Sequence, residues 1–396
     1  MSNFEELYQE TLQGLEEALG IPNNVVEEAQ RVYEELLEMS KTCQNNSELY
    51  KHPCIDFNLQ IKDQTFRNIV LYLSFNRTDE KTGIHNASSI FGYELSLSTR
   101  RIKIIDGDVV VLFLVCNLPK GEDQRKLEDY LKKHKDHVVS IISHELHHYF
   151  SSRLQKSVKF EQTAFYSAIS KVRIGVPTID RFIESLYLTT AAESLVLPSE
   201  VFAKIKLNNI TKSQFFDFFQ SHEILKRLRS ASLLSFEDFI DDLKKEEESL
   251  DRFLLKYVDI AEMTAEEKIN QALKIAVKLL IKEKSDYYAK YYELASKSAI
   301  DQNGLQTTFD KKDLEETLKN IRSDLRKYAG REIQFFSDYL KIVNVKASKT
   351  LKKIGKLYAL CEEDETREDN AIGFVEPSKF QSVEEVLEEL GRLTYE

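Results

Sequence analysis

The spacing of apolar residues divides the chain into regions of different secondary structure. Residues 1–45 carry apolar positions at helical intervals and predict two helices, 4–19 and 25–39. Residues 50–118 are rich in strand-type alternation, and beyond Pro119 the helical spacing returns for almost all of the chain. Strands followed by many helices predict an α+β protein.

The strand-rich region predicts a small antiparallel sheet. Segments 63–76 and 88–100 alternate apolar and polar residues, as in VLYLSF and YELSLS. Segment 101–115, RIKIIDGDVVVLFLV, places Asp106 and Gly107 between two β-branched runs, which is typical of a hairpin. We therefore expect this sheet to pack on the helix that follows Pro119.

From about residue 212 onward, long periodic segments predict a helical bundle. In AEEKINQALKIAVKLLIKEKSDYYAKYYELA, apolar residues recur in step, and we expect them to pack against other helices. Aromatic residues concentrate here and are expected in the core and between helices, the alternative being a substrate-recognition surface. The aromatic residues in question are Phe215, Phe216, Phe218, Phe219, Tyr287, Tyr288, Tyr291 and Tyr292.

Together these patterns predict four parts: N-terminal helices in 1–45, an α+β domain in 46–205, a helical domain in 206–361, and a tail in 362–396. The tail begins with six acidic residues among nine, from 362 to 370, which predicts a solvated loop. Ser382 and Glu385 then have the spacing of a capping box and predict a final helix that ends at Gly391.

The α+β part contains the sequence VVSIISHELHHYF, in which His144, Glu145 and His148 form an H-E-x-x-H motif. Residues four apart lie on the same face of a helix, so the two imidazoles can bind one zinc ion. Glu145 lies one residue round and can reach a zinc-bound water without being a ligand, which is the position of a general base. The alternative is a chance match on a helix with solvated histidines.

The residues around the motif predict that its helix is buried on one face. Val139, Ile142 and Leu146, with Tyr149 or Phe150, recur at helical spacing and are expected to face the core. Asp136 is expected to cap the first free amides. His147 points about 100° away from His148, so we expect a supporting or surface residue without a metal role.

A catalytic zinc site usually has three protein ligands, so a third must come from elsewhere. The metzincin pattern would need Gly at 151 and His at 154, where the chain has Ser151 and Leu154. A helical stretch over 178–205 carries three acids: Glu184, Glu193 and Glu200. We select Glu193 because it lies in an apolar tract, AAESLVL. Glu200 is the alternative, although the preceding Pro198 and Ser199 predict that it opens a new helix.

At these residues, over about 95–205, the chain resembles the gluzincin class of zinc peptidases and is similar in layout to uncharacterised HExxH proteins of bacteriophages. The resemblance implies a zincin-like fold and zinc bound by His144, His148 and Glu193. It also implies that Glu145 activates water to attack a peptide carbonyl, and it favours an endopeptidase. Gluzincins often place Asp four residues after the ligand glutamate to orient a histidine, whereas this chain has Leu197 there.

The same resemblance implies further parts of a peptidase site. An edge strand beside the motif helix would hold the substrate backbone, and the sequence leaves open which strand this is. His222 and Tyr187 are candidates for stabilising the oxyanion. The alternative function is a catalytically silent structural or interaction protein, such as a virion component, that retains the fold.

Composition restricts the partners and the compartment. The 396 residues are 42% hydrophobic, which suffices for packed cores, and the net charge of −11 disfavours nucleic acid as a partner. The four cysteines, Cys43, Cys54, Cys116 and Cys361, have no C-x-x-C spacing and fit free thiols in a reducing compartment. The acidic N-terminus does not resemble a secretory signal, and no apolar run matches a membrane span. We therefore expect a cytoplasmic or virion-associated protein that acts on proteins or peptides.

Overall fold

The computed structural model divides into two compact units. Of the described residues, unit 1 contains those up to 154, then 195–218 and 353–362, and unit 2 contains 172–194 and those described within 219–352. The structure describes residues 24–42, 50–61, 64–78, 82–91, 93–96, 101–104, 109–119, 125–154, 172–300, 319, 327–328 and 330–362.

The strands of unit 1 form two sheets. Their bounds are β1 Tyr50–Ile61, β2 Gln64–Thr78, β3 Gly83–Phe91, β4 Tyr93–Ser96, β5 Arg101–Ile104 and β6 Val109–Pro119. The larger sheet has the order β1-β2-β6-β3, in which β2 and β6 are parallel and the two outer strands are antiparallel to their neighbours. Strand β6 is central and almost entirely apolar, and its Leu112, Leu114 and Cys116 are buried.

This topology corrects two predictions. The runs on either side of Asp106 and Gly107 are strands, but they do not pair with each other: β5 pairs with β4 in a separate two-stranded sheet, and β6 pairs with β2 and β3. The segment predicted as one strand over 88–100 covers the end of β3 and all of β4. The α+β class is confirmed, but the larger sheet is mixed. Turn composition predicted a local hairpin, whereas β6 pairs with strands on both sides over long sequence separations.

Three helices accompany the sheet: α1 Val25–Thr42, α2 Arg125–Lys133 and α3 Lys135–Leu154. Helix α1 contacts α2, α3 and β1, and helix α3 also contacts β3. The predicted core residues Val139, Ile142 and Leu146 on α3 are fully buried, which confirms the buried face. Asp136 lies inside the first turn rather than at the cap, because the Val138 amide already donates to the His134 carbonyl.

The described residues of the remaining chain form helices joined by turns and short connecting segments, with one isolated bridge between Thr211 and Glu362. The helices are α4 Pro177–Leu188, α5 Ala191–Leu207, α6 Phe215–Ser221, α7 Glu223–Leu233, α8 Phe236–Lys244, α9 Glu247–Leu254, α10 Ala265–Ile300 and α11 Glu332–Gly355, followed by a 3₁₀ turn at Lys356–Leu360. Helix α5 is continuous across the point at which the two units divide. The predicted helices at 4–19 and in the tail, with most of the acidic segment, lie outside the described residues.

Aromatic rings form much of the core of unit 2. The Phe336 ring lies with its centroid 4.9 Å from that of Phe182 and 5.4 Å from that of Phe239, and all three side chains are fully buried. The predicted core role of the aromatics is confirmed for Phe215 and Phe219, which are also buried.

We expect Phe336→Ala to lower the free energy of unfolding by about 3–5 kcal/mol, because it removes the ring that touches both neighbours and leaves a cavity. Urea unfolding followed by circular dichroism measures this loss. Leu255→Ala is the control, since Leu255 is 64% exposed and its truncation removes little buried area. Equal effects of the two substitutions would contradict the proposed importance of this cluster.

Two buried cysteines and the composition of the helices bear on the predicted free thiols and on the predicted absence of a membrane span. Cys116 and Cys361 are buried and do not form disulfides, and burial raises the pKa of Cys361 to about 12. Among the described helices, none combines the length and the apolar character needed to cross a bilayer.

Candidate metal centre

The H-E-x-x-H motif lies in the second half of helix α3. The ring centroids of His144 and His148 are 4.7 Å apart with an interplanar angle of 75°, as expected for two imidazoles one helical turn apart. The His144 side chain is 12% exposed. The helix thus carries two imidazoles together on a poorly solvated face.

Glu193 lies in the first turn of helix α5. The predicted helical stretch over 178–205 is interrupted at Thr189 and Thr190, after which α5 begins at Ala191. The Thr190 hydroxyl accepts a hydrogen bond of 2.9 Å from the Glu193 amide, which satisfies one of the free amides at the helix start. The cap thus holds the backbone of Glu193 at the helix start, where the positive end of the helix dipole favours an anion.

His144, His148 and Glu193 come together. Each offers one ligand atom, and these three atoms lie within 4.8 Å of one another. Glu193 is only 5% exposed, and a carboxylate so buried needs a cation or hydrogen-bond donors. Ligand atoms around tetrahedral zinc lie about 3.4 Å apart, which small side-chain rotations from this arrangement can reach. Two imidazoles and one carboxylate are the ligand set of many catalytic zinc sites.

Glu145 follows the first histidine and is half-buried. It is not a member of the three-residue group. Glu145 is thus the sequence neighbour of a candidate ligand without being one of the three candidate ligands. Its assignment as the general base remains a prediction.

Glu200, the alternative third ligand, is not a member of the three-residue group. Its Oε2 atom is 3.0 Å from Nδ1 of His144, and its side chain is 7% exposed. Glu200 lies inside helix α5, not at the start of a new helix, because α5 continues through Pro198. The proline removes one backbone amide from the helix without ending it. Both glutamates thus lie near histidines of the motif, but only Glu193 belongs to the group of converging ligand atoms.

His147 is buried rather than on the surface. It is 2% exposed, and its Nδ1 lies 2.5 Å from the hydroxyl oxygen of Ser199, which is fully buried in helix α5. The sequence analysis named Ser199 only as part of a predicted helix start, because a serine carries no signal that indicates a histidine partner.

Contacts along α3 and α5 show that the two helices run in opposite directions. His144 and His147 lie near Glu200 and Ser199, whereas His137, earlier on α3, lies near Lys204, later on α5. Burial lowers the pKa of His137, and the Lys204 ammonium lowers it further, while Glu200 opposes this shift. The antiparallel helices α3 and α5 thus carry the three candidate ligands and the polar residues that contact them.

The remaining candidates from the sequence, Glu184, Tyr187 and His222, lie on helix α4 and just before helix α7. Glu184 on helix α4 pairs with Arg227 of helix α7 at the surface. Tyr187 is half-buried near the end of α4, where its carbonyl accepts from the Thr190 amide. His222 is 7% exposed and immediately precedes α7. The oxyanion role of Tyr187 and His222 remains a prediction.

The chain was compared with protein-family models, with curated proteins and with solved structures, and no match was found.

Proposed function

We propose that this chain is a zinc-dependent peptidase of gluzincin type, with a zincin-like catalytic unit. The proposal rests on one observation: the ligand atoms of His144, His148 and Glu193 lie within 4.8 Å of one another. Two of these residues belong to the motif, and the third is the distant glutamate that we selected from the sequence. A chance match on a solvated helix would not be expected to meet a buried carboxylate from another helix.

The donors of this group fit zinc. Two imidazoles and one carboxylate leave a fourth tetrahedral position open, which is the arrangement of catalytic rather than structural zinc sites. Magnesium and calcium prefer oxygen ligands, so a group with two nitrogen donors disfavours them. When bound, zinc would supply Lewis-acid polarisation of a carbonyl and a lowered pKa for water.

Different residues of the chain would transfer the proton and bind the metal. Glu145, beside the ligands, would take a proton from the attacking water as its oxygen bonds to the carbonyl carbon. The same carboxyl would then deliver the proton to the amide nitrogen as the C–N bond breaks. His144, His148 and Glu193 would take no part in this transfer, because their role is to hold the cofactor.

Strand β3 is our candidate for the substrate-binding strand. It is the outer strand of the larger sheet next to β6, among the described strands, and it contacts the motif helix α3. An extended peptide can add to such an edge through backbone hydrogen bonds. The strand has nine residues, enough to hold substrate on both sides of a scissile bond, which favours an endopeptidase.

We expect the purified protein to contain about one zinc ion per chain, because three converging ligands bind the ion tightly. Elemental analysis of protein prepared without chelators measures the content. The double variant His144→Ala/His148→Ala should retain almost none. His134→Ala is the matched control, because His134 lies before helix α3 and its ring contacts that of Tyr130 instead of joining the group.

If the native protein lacks metal and takes up no zinc on titration, the catalytic proposal is wrong. The alternative from the sequence, a silent structural or interaction protein that retains the fold, would then be favoured. If zinc is present, incubation with a peptide library and mass spectrometry of new termini identifies the bonds that are cleaved.

A further inference from the structure

Two adjacent residues of helix α5 contact two different histidines of helix α3. Ser199 lies against His147, and Glu200 lies against His144. Resting on the zinc peptidase function proposed above, we propose that Glu200 is a positioning residue that holds the His144 imidazole for the metal. The neighbouring contact between Ser199 and His147 fixes the rotation of the motif helix.

The argument for Glu200 starts from the two nitrogens of an imidazole, which point in different directions. Nδ1 of His144 lies 3.0 Å from the Glu200 carboxylate. This carboxylate attracts a proton to Nδ1, which favours the tautomer whose Nε2 lone pair can bind the ion. A carboxylate at the far nitrogen also makes the ring a stronger ligand. Glu200 thus selects both the tautomer and the orientation that binding requires.

The same contact separates the roles of the two glutamates. Glu193 belongs to the group of converging ligand atoms, whereas Glu200 lies at the nitrogen that a metal bound through Nε2 does not use. Seven residues of helix span about 10 Å, so the two carboxylates stand at different heights along one face. One can therefore bind the ion while the other supports its ligand.

The contact between Ser199 and His147 adds a constraint on the whole helix. Successive residues of a helix point about 100° apart, so holding His147 at a fixed direction also fixes those of His144 and His148. Both members of this contact are almost completely buried, where a polar pair is strong and its loss costly. The third histidine of HELHH thus orients the helix without being a ligand.

The decisive variants are Glu200→Ala and Glu200→Gln, compared by competition with a chelator for zinc. We expect Glu200→Ala to weaken zinc affinity about 10- to 100-fold, the range for loss of a residue that supports a ligand histidine. Glu200→Gln should recover part of that loss, because its amide oxygen can still accept the Nδ1 proton. Glu184→Ala removes a surface carboxylate and should leave the affinity unchanged.

A second measurement separates positioning from a purely structural role. Thermal unfolding with and without zinc gives the stabilisation that the metal contributes, which depends on its affinity for the folded state. For a positioning residue, this zinc-dependent rise in melting temperature should shrink in Glu200→Ala. For a merely structural residue, both melting temperatures would fall together, and the proposal would be overturned.

The other outcomes are equally distinct. Wild-type protein that binds no zinc would refute the proposed function itself. If the wild type binds zinc and Glu200→Ala binds it equally well, only the positioning role is refuted. If Glu200→Ala loses more affinity than Glu193→Ala, Glu200 is a ligand and our division of roles is overturned. The absorption spectrum of the cobalt-substituted protein provides an independent check, because it should change shape when His144 is misdirected.

Discussion

Replacing Glu193 with alanine is expected to weaken zinc binding by more than about 100-fold, beyond the range expected for a supporting residue. The substitution removes one of three ligands and leaves two imidazoles on a single helix, which coordinate the ion incompletely. Competition with a chelator measures the affinity, and circular dichroism verifies that the variant stays folded. Because Thr190 caps helix α5 through the backbone amide of residue 193, alanine keeps that hydrogen bond.

Glu193→Gln is the appropriate companion to this variant. It keeps the size and one oxygen of the side chain but removes its negative charge, so the affinity should fall less than with alanine. Glu184→Gln controls for the loss of one carboxylate elsewhere in an acidic protein. Full zinc affinity in Glu193→Ala would show that the third ligand lies at another residue.

The second large effect concerns catalysis rather than binding. We expect Glu145→Gln to reduce hydrolysis about 10²- to 10⁴-fold while zinc content and affinity stay unchanged, because Glu145 transfers the proton and is not a ligand. The rate should be measured on a peptide that the wild type cleaves, with zinc determined in the same sample. Glu184→Gln again serves as the control and should retain the wild-type rate.

The two readouts make this prediction decisive. A variant that loses zinc together with activity would mean that residue 145 binds or supports the metal. A variant that keeps both would place the general base elsewhere. Only the loss of activity with zinc retained agrees with the proposed role.

The motif helix and its buried face were predictable because their signals are local. Val139, Ile142 and Leu146 recur at the helical period, and that period alone determines which side faces the core. The burial of Glu193 and its position near the two histidines were also predictable, since an acid in an apolar tract needs a partner that offsets its burial. In each case the residue and its immediate neighbours carried enough information.

The features that the sequence did not reveal depend on distant partners. The turn-forming pair at 106–107 was correctly found between two strands, but the pairing of those strands is decided by segments far along the chain. Pro198 resembled a helix start because the tertiary environment that keeps it inside α5 cannot be read locally. The contact of Ser199 with His147 joins positions 52 residues apart, and neither residue type indicates the other.

The parallel pairing of β2 with β6 has a consequence for how the protein folds. From Asn68 to Thr78, each residue of β2 pairs with the residue 41 positions further along, from Val109 to Pro119 in β6. By contrast, β1 and β2 are adjacent in sequence, with Ile61 paired to Gln64. Local strand pairs close quickly, whereas distant ones require a long loop to close before any contact stabilises them. We therefore expect β6 to join late in folding. On a ribosome, β2 would emerge well before β6 is synthesised. During that interval the edge of β2 that later pairs with β6 would be exposed to chaperones.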